Sequence, residues 1–119
     1  MESIFNVELF SKLSREYFLL NSKIEGINIE MMNGKLYVII HFFNPFTSVS
    51  RLKLSITEIK EYAFYYQSNT HFYNVETFKL LKYKDMYYFS FDPDEEVMDV
   101  PSEHDNDLII AGKMEGCFQ

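Results

Sequence analysis

Tryptophan is absent, cysteine occurs once, and only four glycines and three prolines punctuate the 119 residues. The lone Cys117 excludes an intramolecular disulfide and a cysteine-rich zinc site. Gly26, Gly34, Gly112 and Gly116 are too scattered for a Walker or dinucleotide phosphate loop. Long apolar runs are missing too: Leu36 to Ile40 reaches Phe43 only by passing His41, against the roughly 18 to 20 residues a membrane helix needs. His41, His71 and His104 lie far apart with no paired spacing, which gives neither a metal pair nor a catalytic dyad. Met1-Glu2-Ser3 lacks the basic start of a signal peptide. Glu2 stands where myristoylation needs glycine, and Cys117 is third from the end where prenylation needs it fourth. A cytoplasmic chain without leader, anchor or membrane span is the expectation.

Positive charge is also scarce. Eleven Lys and Arg face 18 Asp and Glu for a net charge of −7, which disfavours nucleic-acid binding. What the chain has in abundance is hydrophobic material, 47%, with 12 Phe and 9 Tyr, enough for one folded core at this length. A single domain spanning 1–119 is expected.

The negative charge is local. Asp92, Asp94, Glu95, Glu96, Asp99, Glu103, Asp105 and Asp107 place eight carboxylates in a stretch without Lys or Arg, and the rest of the chain nearly cancels. Pro93 and Pro101 keep this stretch out of a central strand, so it reads as a long loop, 92–107.

From Ile24 to Phe43 two alternating runs flank Asn33-Gly34, the pair best suited to a type I′ turn. A two-residue turn sets Met31 against Leu36, Ile29 against Val38 and Ile27 against Ile40. A second hairpin is expected from Val75 to Phe91 with its turn at Lys84-Asp85, Leu80 facing Phe89 and Phe78 facing Phe91. Leu52, Leu54 and Ile56, then Tyr62, Phe64 and Tyr66, read as two strands broken at Thr57-Glu58. The rival is a helix over 56–66, capped by Ser55 and Glu58. Val7, Phe10, Leu13 and Tyr17 share one face of a helix ending near Asn21, and Leu108 to Met114 reads as a last strand. The economical fold is α+β, an N-terminal helix packed on a mainly antiparallel sheet of about six or seven strands, with an all-β sandwich as the alternative.

No complete catalytic constellation and no cofactor motif occur, which favours a non-enzymatic role. The first expectation is a binding protein whose acidic loop engages a basic protein partner, weighed evenly against a loop that only keeps the domain soluble. The surface would comprise Asp92, Asp94, Glu95, Glu96, Asp99, Glu103, Asp105 and Asp107 with Tyr87 as an aromatic anchor. Tyr65, Tyr66, Phe72, Tyr73 and Tyr88 are further anchor candidates. A toxin-neutralising immunity protein is the concrete form. Lys79, Lys82 and Lys84 make a short basic patch that can face the same loop.

A calcium module is the chemical alternative. Asp92, Asp94, Glu96 and Glu103 fall at positions one, three, five and twelve of an EF-hand frame, but Val97 occupies the glycine position. Phe91-Asp92-Pro93-Asp94 with Asp105-Asn106-Asp107-Leu108-Ile109 resembles the third calcium loop of C2 domains, over these residues alone and without the second aspartate loop of such sites. The resemblance implies Asp92, Asp94, Asp105 and Asp107 as oxygen ligands. A small hydrolase working with two loop carboxylates, Tyr87 or Tyr88 stacking on a sugar, is the remaining alternative. As for assembly, a monomer or weak homodimer is expected.

Overall fold

The computed structural model describes residues 3–16, 18–65 and 73–119. One helix, α1 (Asn6–Glu16), follows a short strand β1 (Ser3–Phe5). The antiparallel strands β2 (Lys23–Met32), β3 (Lys35–Phe43), β4 (Arg51–Ala63), β5 (Lys79–Tyr83), β6 (Met86–Asp92) and β7 (Asn106–Phe118) come after it. The sheet order is β2-β3-β4-β7-β6-β5, and β1 lies beside β7. With 56% strand and 10% helix, the fold is α+β.

The Asn33-Gly34 turn forms with both φ angles positive, 52° and 76°, and the pairs Met31–Leu36, Ile29–Val38 and Ile27–Ile40 form as the alternation requires. In the second hairpin, Lys84 (φ 51°) and Asp85 (φ 62°) adopt the same left-handed geometry without glycine, and Leu80 pairs with Phe89. Its first strand begins at Lys79 rather than Val75; Val75 instead exchanges backbone hydrogen bonds with Ser22 and Asn21.

Where two strands were expected over 52–66, β4 is one strand of 13 residues, and the helical alternative does not occur. The local polar break survives as a kink. Glu58 takes φ 55° opposite Gly112, and the pairing with β7 slips between Ile59 and Glu61. Because Glu58 reverses the alternation, Ile56 and Ile59 both reach the core. Pairing along the whole of β7 outweighs the capping-box pattern, since ladder hydrogen bonds and buried Leu52, Leu54 and Ile56 reward extension. Tyr66 lies outside the described residues. The last strand is likewise longer than expected, running through Gly112 and Gly116 to Phe118.

The kink folds the sheet over. Phe42 of β3 and Phe91 of β6 are separated by two strands in the hydrogen-bonded order, about 14 Å in a flat sheet, yet their ring centroids are 5.8 Å apart. The chain entering β5 also bridges back to β2 at Lys23–Asn74. Long strands that turn a corner at a bulge make this closure, and the core lies inside it. α1 covers the open side with Leu9, Leu13 and Phe10. Val7, expected on that face, is 63% exposed, and the helix ends at Glu16, short of Asn21; Tyr17 is outside the described residues. Gly116 lies directly beneath Leu9, where a Cβ would meet Leu9 Cδ1 at 2.7 Å. Asn6 secures the helix start, its Oδ1 accepting the Met114 N–H at 3.0 Å between the stretches of β7 that pair with β1 and β6.

Candidate functional site

The acidic connection joins β6 to β7 and is organised around one carboxylate. Asp105 accepts hydrogen bonds from Lys79 Nζ at 2.9 Å to each oxygen, from the Tyr88 hydroxyl at 2.6 Å, and from the Asp94 and Ser102 backbone N–H groups at 2.8 and 2.9 Å. Lys79 Nζ also donates to the Val100 carbonyl at 2.9 Å. Both side chains of the ion pair are 0% exposed. Strand alternation explains the placement. Lys79 pairs with Ser90, so it shares with Tyr88 and Ser90 the sheet face opposite Tyr87 and Phe89, and the loop folds back across that face.

A second layer of bonds shapes the loop. Asp94 Oδ1 accepts the Glu96 N–H at 3.1 Å and its Oδ2 the Ser102 hydroxyl at 2.7 Å. Asp107, at φ 51°, accepts the Tyr65 N–H at 2.8 Å. The Ser90 hydroxyl donates to the Asn106 carbonyl at 2.6 Å.

The ionisation of these groups follows their surroundings. Burial pushes the Asp105 carboxyl up, but the hydrogen bonds from Tyr88, Asp94, Lys79 and Ser102 together outweigh it and hold Asp105 below the usual carboxylate range. The Ser102 hydroxyl, then the Glu96 N–H, lower Asp94. Burial, followed by the Asp105 hydrogen bond and charge, drives Tyr88 far above the usual tyrosine range. Asp107 goes the other way, raised by burial and by the neighbouring Asp92 charge.

The eight carboxylates therefore divide. Asp92, Glu95, Glu96, Asp99 and Glu103 are exposed, Asp94 and Asp107 are half-buried and tied to backbone, and Asp105 is buried. Asp105 leaves the expected partner surface because its oxygens are consumed inside the fold. Tyr87 leaves it as well: it is 2% exposed, in the core with its ring centroid 6.0 Å from that of Phe10. Tyr88 is buried, Tyr65 and Tyr73 are exposed, and Tyr66 and Phe72 lie outside the described residues. Of the basic patch, Lys79 meets the loop from within, whereas Lys82 and Lys84 sit over the rings of Tyr87 and Tyr83 at 4.6 and 5.3 Å. Exposed Met98 and Val100 add an apolar element to the loop surface.

The calcium set is not assembled. Among the described residues no three His, Cys, Asp or Glu side chains are placed to hold a metal ion, and the Lys79 ammonium already occupies the Asp105 oxygens. For a hydrolase, Asp94 and Asp105 are shifted down and Asp107 up, and the expected stacking residues Tyr87 and Tyr88 are buried. Two surface cavities, one lined by Leu20, Phe78, Leu80 and Met98 and one by Gly26, His41, Arg51 and Lys53, contain none of the eight carboxylates.

Among the described residues, no helix is long and apolar enough to cross a membrane. Comparison of the chain with protein-family models, curated proteins and solved structures gives no match.

Proposed function

We propose that the protein is a non-enzymatic, cytoplasmic binding protein that engages a basic protein partner through the exposed carboxylates of its β6–β7 connection, with neutralisation of a basic toxin as the concrete form. The observation that carries this reading is the division of labour in the loop. One buried ion pair anchors the backbone, while Asp92, Glu95, Glu96 and Asp99 pair with no basic side chain among the described residues. Glu103 has only His104, at 3.7 Å. A loop that served solubility alone would not need a buried network to fix its shape. Carboxylates carried on a backbone fixed before binding lose no main-chain entropy on docking, and their combined field draws a cationic surface in. Met98 and Val100 supply apolar contact at the centre of the ribbon.

The test is capture of basic proteins from the native host by the wild-type chain and by a variant carrying Asp92→Asn, Glu95→Gln, Glu96→Gln, Asp99→Asn and Glu103→Gln. The variant leaves Asp105, Asp94 and Asp107 untouched and so keeps the loop anchored. Loss of a cationic partner with an unchanged melting temperature is the expected result. Retention of the same partner by the variant would refute the reading.

A further inference from the structure

We propose that the cleft at the bulge of β2 is a binding site for a small phosphate monoester bearing a hydroxyl group, with the phosphoryl oxygens held by Lys53, Arg51 and His41. None of the eight carboxylates of the β6–β7 connection lines this cleft, so the assignment stands apart from the proposed function.

Strand alternation builds the donor set. Phe42 and Leu52 point into the core, so His41, Arg51 and Lys53 share the opposite face of β3 and β4. His41 pairs with Lys53 on one side and with Gly26 on the other, each strand about 5 Å away. Arg51 precedes Lys53 by two residues, about 7 Å along the same strand. The three side chains line one cavity of about 230 Å³, whose wall is completed by Glu25, Gly26 and Gln119.

The cavity owes its shape to the bulge. The register of β2 slips between Ile24 and Gly26, which makes Glu25 the extra residue and turns it toward Arg51. The backbone of Gly26 does not require glycine: its φ lies outside the left-handed region, and an added Cβ would clear His41 Cδ2 at 3.8 Å. What the missing side chain leaves is open space beside the His41 ring.

The two cations are held differently. Arg51 is fixed, one terminal nitrogen donating to the Glu25 carboxylate and the guanidinium carbon 4.8 Å from the Phe43 ring centroid, and its other N–H groups remain for a ligand. Lys53 forms no ion pair among the described residues, although Glu115 lies diagonally across the ladder with β7. A preset guanidinium fork beside an uncommitted ammonium and a ring N–H is a donor set suited to a phosphoryl group. Glu25 narrows the ligand further, because its carboxylate repels a second anionic group and accepts a hydroxyl. The volume lies below the roughly 300–1,000 Å³ of sites for drug-sized ligands, so the ester is small.

Calorimetric titration with glycerol 3-phosphate, inorganic phosphate and glycerol at constant ionic strength tests the site, using the wild-type chain, Lys53→Gln and Gly26→Val. Saturable binding of glycerol 3-phosphate is expected, at least about three-fold tighter than inorganic phosphate, with none for glycerol. Either substitution should weaken it at least about ten-fold while leaving the melting temperature within a few degrees of wild type. Lys53→Gln changes an exposed side chain and reads the site even where Gly26→Val disturbs the bulge. In NMR spectra the imidazole resonances of His41 should move with the same saturation curve. No saturable binding, inorganic phosphate bound as tightly as the ester, full affinity in Lys53→Gln, or saturation without movement of the His41 resonances would each overturn the proposal.

Discussion

Asp105 and Asp99 are chemically identical in the sequence, a few residues apart in the same acidic stretch, and end up in opposite circumstances. Asp99 is exposed, whereas Asp105 sits at 0% exposure under Lys79 and Tyr88. A buried ion pair is weak evidence of net stability, but stripping one partner leaves an unpaired charge and typically costs about 3–5 kcal/mol. Asp105→Leu is therefore expected to lower the melting temperature by roughly 10–20 °C, and Lys79→Met combined with it recovers only part of that loss, because the Tyr88 hydroxyl and the Asp94 and Ser102 N–H groups still lack their acceptor; thermal denaturation of the single and double variants checks both. The pH dependence has two limbs. Asp105 and Asp94 ionise more readily when folded, so the stability they contribute is present above the unfolded carboxylate range and disappears as pH falls below about 4. Tyr88 is raised when folded, so its contribution holds up to about pH 10 and is lost as pH climbs beyond it. Urea titrations across both limbs should show each decline, and Tyr88→Phe should shrink the alkaline one to the part left by Tyr87, which burial also raises. Asp107 is raised, which means its ionised form is a burden at neutral pH. Asp107→Asn keeps an acceptor for the Tyr65 N–H and suits φ 51°. It should raise the melting temperature at pH 7 by a few degrees, an advantage that vanishes near about pH 3. None of these distinctions was legible in the sequence, because they depend on which residues the returning loop lays over the sheet.

At the scale of elements, the sequence was most legible where local chemistry and long-range pairing agree. Asn33-Gly34 supplies the left-handed turn, and the alternation on both sides fixes the register, so the first hairpin pairs as read from Gly26 to Met32, while a bulge at Glu25 shifts Ile24 onto Phe42. The second turn is the informative contrast: Lys84 and Asp85 hold the same geometry at a steric cost of about 1–2 kcal/mol per left-handed residue. Replacing them with Asn-Gly is expected to stabilise the fold by about 1 kcal/mol or more in chemical denaturation, and no gain would mean that this turn is not of the I′ form. β4 was read as two strands because Thr57-Glu58 interrupts the alternation with polar residues, and only pairing with β7 shows that Glu58 is a corner within one strand. The last strand was read only from Leu108 to Met114, whereas it runs on through Gly116, where the missing side chain admits Leu9. Gly116→Val should press on Leu9 and Leu52 and lower stability by about 1–3 kcal/mol.

For the whole molecule, the signal readable from composition was the confinement of charge to one segment, and the fold preserves it. Five carboxylates stay exposed on a connection braced from beneath, and Lys79, the basic side chain that could have cancelled the ribbon, is spent on its buried anchor. Tyr87 was placed at the surface because aromatic density alone does not reveal which strand face meets the core. Under the proposed function, electrostatic attraction is the route to binding, with the apolar loop residues and the anchored backbone setting the fit. The most direct measurement is the association rate constant of the captured basic partner against ionic strength, for the wild-type chain and for the variant with Asp92, Glu95, Glu96, Asp99 and Glu103 neutralised. The account predicts a wild-type rate that falls steeply with salt and a variant rate at least about ten-fold slower and nearly flat. Equal rates and equal salt dependence for the two chains would contradict it.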